Sequence, residues 1–472
     1  MVPALQERLA KVEARAGAAE ARAGAAEARI AVLEAENAEL RVRLGKDSSN
    51  SSKPPSTDSP YKSKPPVKRG LRKAGGQPGH PGTTRPWLPP EKVNEFKVVQ
   101  ASVCPCGASL AGVPAARGGT WSRQVVELPP IVPHVTELTF LTVVCPCCGR
   151  VNLPVVPPEA ATCTGPNLTA LAADLVGEYH LSRDAAASLL GSVLNIPICA
   201  ATVQDCCEQV SNSLQLATAE VDAALPSSAV IHMDETSWKQ KKALQWLWIA
   251  IGDRVTSFAI HARRGQQQLA LWFPEGFEGI VNCDRWRPYE RFARRQLCWS
   301  HLERDLQAVI DAAGHGVAAA TAALAGADAM FQTWWRFKEA AITRAELQRD
   351  TEPYRRAFEV FCATGAAQTG DRRWHALGRD LVRQWDAVFR FLDVEGVEPT
   401  NNAAEQGLRS GVIWRRTTQG TRSEAGTAFV QRIMTAHANC KRQGRSVLRF
   451  LADTLMAHRQ KIIPPSLMPA GP

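Results

Sequence analysis

Apolar and polar positions change period several times along this chain, and each change marks an element. Near the amino end a seven-residue repeat, EARAGAA, EARAGAA, EARIAVL, EAENAEL, fills residues 13–40. Leu5, Val12, Ala19, Ala26, Leu33 and Leu40 share one seam position, and Leu9, Ala16, Ala23, Ile30, Asn37 and Leu44 share the other. That spacing predicts a coiled coil over residues 1–45, with Asn37 fixing register against a second copy. Gly17, Gly24 and the alanines of the middle seam weaken the packing, and a single solvated helix is the alternative.

The period disappears over residues 46–92, where Ser, Pro, Gly and Lys dominate and no core can form; this is a linker. Two alternating segments, SRQVVEL and HVTELTFLTVV, predict strands of a small β unit within 93–160. Helical spacing returns over 161–225. Its run LSRDAAASLLGSVLNIPICAATVQDCCEQV breaks at Asn195–Pro197, as in a DNA-binding helix-turn-helix, although any helical hairpin shows the same pattern. From residue 229 the runs AVIHMDET, LQWLWIAIG and VTSFAIHA read as strands, followed by a helical segment near 265–273 and a fourth strand, GIVNCD. Residues 306–395 read as a helical insertion, with Trp334, Trp335, Trp374 and Trp385 expected in its core. Amphipathic helices fill most of 396–460, and 461–472 is a tail.

Length and charge narrow what such a chain does. At 472 residues it should divide into several domains. Fifty-six Lys and Arg against 46 Asp and Glu give a net charge of +10, which favours a polyanionic partner, nucleic acid foremost. Lys68, Arg69, Arg72 and Lys73 in the linker would lie along phosphates, unless the linker only solubilises. No apolar run reaches the roughly 20 residues of a membrane span, and the amino end lacks the apolar core of a signal peptide, so a cytoplasmic protein is expected. There the 13 cysteines would be reduced, and the knuckles CPCG and CPCCG point to a structural zinc ion on Cys104, Cys106, Cys145 and Cys148. The one-residue gap of the first pair makes a poorer knuckle, and Cys147 or His134 are alternative ligands.

Acids complete the picture. The first and fourth strands end at Asp234 and Asp284, and a β-β-β-α-β order with acids there is what a ribonuclease-H-like core, begun at 226–305 and resumed at 396, needs to bring both together. Glu235 should point to the other face. Far downstream, Glu405 opens a helix in VEPTNNAAEQGLRSGVIWRR; Asn402-x-x-Glu405 also has the spacing of a capping box, and Arg409 that of an ion pair with Glu405. Arg409, Arg415, Arg416 and Arg422 are candidates for holding DNA phosphates, or simply surface charge.

The motifs DET after an apolar strand, CDRWRPY, LCWSHLERD and PTNNAAEQGLR together resemble the transposases of the insertion-sequence-66 family, and the resemblance covers nearly the whole chain. It implies a DDE-type transposase that binds the ends of a bacterial insertion sequence, cleaves DNA and transfers the strand to a target, working in the cytoplasm on the nucleoid. It implies Asp234, Asp284 and Glu405 as catalytic residues holding two Mg2+ (or Mn2+) ions, with Asp234 bridging. The hard cation suits carboxylates, and an ion pair can activate one oxygen and stabilise another. A homodimer or higher oligomer and accessory proteins of the same element are implied partners. Cys298 and His301 resemble a Cys-x-x-His element of related transposases, where packing is expected rather than zinc. The rivals are a catalytically inactive transposase-derived DNA-binding protein and a nuclease that cuts without joining.

Overall fold

The computed structural model describes residues 85–273 and 275–469, together with Lys11, Gly17, Arg22, Gly24, residues 27–34, Glu36, Asn37 and Arg41. The described positions between 11 and 41 are helical, and Ile30 and Leu33 are exposed. The other seam residues except Asn37 lie outside the described residues, as do Lys68, Arg69, Arg72 and Lys73. Among the described residues no helix is long and apolar enough to cross a membrane.

The chain divides into two compact units: residues 60–134 with 193–195, and the remainder. In the first, Gln124 clamps Leu88 through both its N–H and its carbonyl, at 2.8 Å each. The Cys104 knuckle closes through Cys104 N–H to the Ala108 carbonyl (2.8 Å) and Gly107 N–H to the Cys104 carbonyl (2.8 Å). Gly107, at φ +91°, takes a left-handed conformation that a side chain would disfavour. The strands predicted at SRQVVEL and through most of HVTELTFLTVV do not form, since no residue from 121 to 142 joins a ladder. Pro129, Pro130 and Pro133 lie between the two runs and lack the N–H that a ladder requires, and Val125 and Val126 stay exposed.

In the second unit β1 (Val143–Val144) pairs antiparallel with β2 (Val151–Asn152) around the CPCCG turn. That turn closes on the Cys145 carbonyl through Gly149, at φ +71°. Four helices follow: α1 (Pro166–Gly177), α2 (Arg183–Leu194), α3 (Ala200–Ser213) and α4 (Gln215–Ala224). The helix–break–helix expected around Asn195–Pro197 is present as α2 and α3.

Five strands then build one sheet: β3 (Val230–Gln240), β4 (Ala243–Ile251), β5 (Thr256–His261), β6 (Ile280–Cys283) and β7 (Arg295–Leu297), in the order β5-β4-β3-β6-β7. β3, β4 and β5 form an antiparallel meander, whereas β6 runs parallel to β3 and β7 parallel to β6. The crossover from β5 to β6 carries α5 (Gln266–Trp272). β7 escaped the pattern because three residues, RQL, show no alternation.

After α6 (Trp299–Asp311) come α7 (Val317–Lys338), α8 (Arg344–Ala367), α9 (Arg372–Arg383) and α10 (Arg390–Asp393). A reciprocal Thr343–Glu346 capping box starts α8, and the Asp371 carboxylate caps α9 while also accepting from Gly316 N–H at 2.9 Å. Trp299, Trp334, Phe358, Phe389 and Phe391 are buried in one cluster with Trp374, and Trp385 packs at its edge. Trp335, expected in this core, is instead 59% exposed, because its neighbour Trp334 takes the inward position on the same helix. The chain ends in α11 (Asn402–Thr418), α12 (Glu424–Arg442) and α13 (Val447–Gln460).

Candidate active site

Strand pairing sets the first two carboxylates side by side. In the parallel ladder Val230 faces Ile280, Ile231 faces Val281 and His232 faces Asn282. Asp234 and Asp284 each lie two residues beyond the last pair, Asp234 within β3 and Asp284 one residue past the end of β6, so the register carries them to the same level of strands about 4.8 Å apart. Each carboxylate is anchored by local backbone: Asp234 Oδ1 accepts from Glu235 N–H at 2.8 Å, and Asp284 Oδ1 from Trp286 N–H at 2.9 Å.

Glu405 lies near enough to repel both aspartates, although among the described residues the three acids form no group with ligand atoms within 4.8 Å of one another; its helix is fixed at both ends of its first turns. The N-cap is Asn401, not Asn402, and its side chain makes no cap hydrogen bond. It turns inward, donating from Nδ2 to the Met233 carbonyl (2.6 Å) and lying 3.1 Å from His232 Nδ1. The capping-box explanation of Glu405 therefore fails. Asn401 N–H also donates to Cys298 Sγ (3.1 Å), Trp299 N–H to the Pro399 carbonyl (2.9 Å), and Asn282 Nδ2 to the carbonyls of Glu398 (2.7 Å) and Thr400 (3.1 Å). Residues 398–401 are thus stitched to both acid-bearing strands. Further along, a Cβ on Gly407 would fall 2.4 Å from Ile249 Cδ1, and one on Gly411 2.3 Å from Leu247 Cδ2, so α11 lies on β4 more closely than side chains allow.

Asn401→Ala should leave the Met233 carbonyl unpaired and cost about 1–3 kcal/mol of stability. Chemical denaturation checks the stability; a cost below about 0.5 kcal/mol would mean that the Met233 carbonyl finds another donor.

The three acids repel one another. Burial, then the neighbouring Glu235 carboxylate, then Asp284 and Glu405, hold the Asp234 pKa well above the ordinary aspartate range. Burial also raises Asp284, against the pull of Arg264 and Arg285, and raises Glu405, with Asp284 adding repulsion and Arg304 opposing it. Because these pKa values are higher in the folded than in the unfolded chain, the folded state binds more protons, and stability is lost as pH rises through them. In chelator, Tm should fall as pH rises above the ordinary carboxylate range, more steeply for the wild type than for Asp284→Asn. Equal slopes would show that this cluster does not carry the strain.

Sequence reasoning missed the partners of Glu235. Its side chain is buried, ion-paired to Arg264 (2.5 Å) and hydrogen-bonded by the Tyr289 hydroxyl. Arg264 in turn lies 4.0 Å from the ring centre of Trp286 and 4.9 Å from that of Trp246. Tyr289 belongs to the CDRWRPY run, which offered a signal; Arg264 lies in a turn with none.

Cys298 and His301, expected only to pack, have Glu405 beside them: one ligand atom from each lies within 4.8 Å of the others. His301 Nδ1 is 3.5 Å from Glu405 Oε1, beyond hydrogen-bond reach, and is buried without a hydrogen-bond partner. Burial, helped by Arg304 and Arg285, pushes its pKa down to about 4, so the ring is neutral at neutral pH and its lone pair can serve a metal. Burial pushes the Cys298 thiol up to about 11. In each cysteine knuckle a thiol is held below its ordinary pKa by backbone N–H groups, Cys106 chiefly by Ala108 and Cys145 chiefly by Cys148.

Of the arginines on and after α11, Arg409, Arg416 and Arg422 are exposed. Arg409 does not take the ion-pair partner that its spacing suggested, since Glu405 faces His301. Arg415 is half-buried and bonded to Thr236 Oγ1 (3.1 Å) and to the carbonyl and hydroxyl of Ser237, which makes it a tie between α11 and β3.

Residues 162–428 match the model of a family described as "Transposase IS66 family", and residues 2–86 match that of a family of unknown function. Two relatives from Sinorhizobium fredii, y4jO and y4qI, are both described only as uncharacterized proteins. They are 27% identical over 177 and 247 residues, which is 37% and 46% of this chain and 52% and 44% of theirs. The chain thus spans about half the length of the curated relatives it matches.

Proposed function

Because this chain belongs to the IS66 family of transposases, we propose that it binds the ends of a bacterial insertion sequence, cleaves the DNA there and joins the freed strand to a target. The observation that carries this reading is the register that brings Asp234, inside β3, level with Asp284, just past the end of β6, with the segment that leads into the Glu405 helix tied to both strands by residues 398–401. The sheet order, an antiparallel meander followed by parallel strands, supports a ribonuclease-H-like core.

Three mutually repelling carboxylates fit hard divalent cations, which relieve that repulsion. Asp234, Asp284 and Glu405 would hold Mg2+ or Mn2+, and bound ions would supply Lewis-acid stabilisation of the attacking and leaving oxygens. The chain's own part is to keep the acids aligned on a rigid sheet, so that no reorganisation is needed when substrate arrives. Cys298 and His301 extend the donor set around Glu405. Zinc remains our proposal for the Cys104–Cys106 and Cys145–Cys148 knuckles, supported by their glycine-closed turns and by the lowered pKa of Cys106 and Cys145. DNA reading by α2 and α3, self-association through the heptad segment and accessory proteins are proposed on the sequence pattern and family membership.

The test is incubation of the purified chain with labelled element-end duplex, an unlabelled target and Mg2+ or Mn2+. Joined product supports the reading. Hydrolysis without joining would make the protein a nuclease, and binding without either reaction would make it an inactive binder.

A further inference from the structure

Beside Asp284 the fold opens a cavity of about 720 Å3 between α6, α9 and the turn that follows β6. Its wall carries Arg285, Arg287, Arg373, Arg379 and Arg383 over an apolar floor that includes Val309 and Leu377. Only two acids, Asp305 and Asp380, line it.

These acids organise rather than neutralise the wall. Arg285 donates twice to Asp305 Oδ2 (3.1 and 2.9 Å) and also contacts Asp380, while Arg383 is gripped by Asp380 and by Glu290. Arg287, Arg373 and Arg379 are exposed, and among the described residues no ion pair involves them. A cavity holding more fixed cations than anions is built for an anion. From Arg373 to Arg383 α9 rises about 15 Å, close to the axial rise of four nucleotides of one strand. The cavity also begins one residue after Asp284.

We propose that this groove holds the sugar-phosphate backbone of a DNA strand on its way to Asp284, so that the helical insertion is a wall of the substrate channel. The inference rests on the reading of the chain as an enzyme acting on DNA, and it assigns a task to arginines that the motifs left without one. Element-end and target DNA share this chemistry.

The experiment measures binding of the full chain, in chelator, to a fluorescent duplex of random sequence and to one from the DNA flanking the gene, across about 0.05–0.2 M salt. Arg373→Gln/Arg379→Gln should weaken binding at least roughly tenfold at the lowest salt and flatten the salt dependence by about 1.8 in log–log slope, for two lost phosphate contacts. Arg349→Gln/Arg356→Gln removes equal charge from α8, where each arginine pairs with a neighbouring acid, and should leave the slope unchanged. A loss confined to the flanking duplex assigns the groove to element ends, and an equal loss on both assigns it to any DNA, target included. An unchanged slope in the groove variant, or the same change in the α8 variant, overturns the proposal. Because no catalysis is read, wild-type binding without strand joining would sink the transposition reading and leave the groove standing. A wild type that binds neither duplex overturns both.

Discussion

Asp234→Asn should abolish strand cleavage and joining, by at least roughly a thousandfold, while raising the Tm of the metal-free protein by a few degrees. The two effects share one cause. Asp234 sits where burial and three other carboxylates, Glu235, Asp284 and Glu405, all disfavour its charge. That charge is what a cation needs, and losing several kcal/mol of transition-state stabilisation is worth about three orders of magnitude in rate. Asparagine keeps the shape, so the Glu235 N–H retains an acceptor while the repulsion disappears. The checks are the joining assay and thermal unfolding in chelator. Joined product at wild-type levels would remove Asp234 from the site, and an inactive variant that is also less stable would point to misfolding instead.

Trp299→Ala should cost about 3–5 kcal/mol, the range for emptying a large aromatic site in a core. The indole is wholly buried, with ring centres of Phe358 at 5.2 Å and Phe389 at 5.3 Å. Its N–H donates to the Val388 carbonyl at 2.9 Å, which Gln296 Nε2 also reaches at 3.0 Å, so the cost of truncation comes chiefly from lost packing. Trp299 also opens α6 directly after Cys298, so its loss should loosen the insertion from the sheet. Urea unfolding measures the cost, with Trp299→Phe expected to recover most of the packing but not the hydrogen bond. A cost below about 1 kcal/mol would mean that the insertion does not lean on this residue.

Much of this was visible in the chain before any coordinates. β3, β4, β5 and β6 announce themselves because a half-buried or buried strand must carry its apolar residues in long runs or in alternation. Asp284 was legible as an acid at a strand end, but Asp234, expected to end its strand, lies inside β3, which runs on to Gln240 because β4 stays paired with it that far; parallel register with β6 then brings the two acids to one level. Glu405 was ambiguous for a physical reason: Asn-x-x-Glu serves helix capping and catalysis alike, and only the inward turn of Asn401 separates them. Asn401 itself lies inside a motif, but its bonds to His232 and Met233 join residues far apart in sequence, which no local pattern encodes. The extended run over 121–142 misled because alternation describes a strand's faces and says nothing of whether a partner strand exists. Arg264 and the arginine groove were invisible for the same reason: their neighbours come from helices and turns distant in the chain.

The helical insertion separates Glu405 from the two aspartates in sequence, and that order has a consequence during synthesis. A ribosome delivers Asp234 and Asp284 first, then the arginine-lined wall, and only near the end the helix that carries the third acid. A nascent chain therefore completes the five-stranded sheet and the insertion before the helices that cover that sheet. A chain broken between α9 and α11 would lack the helices that cover β3, β4 and β5, where Gly407 and Gly411 press on Ile249 and Leu247, so the sheet would be left with a bare apolar face.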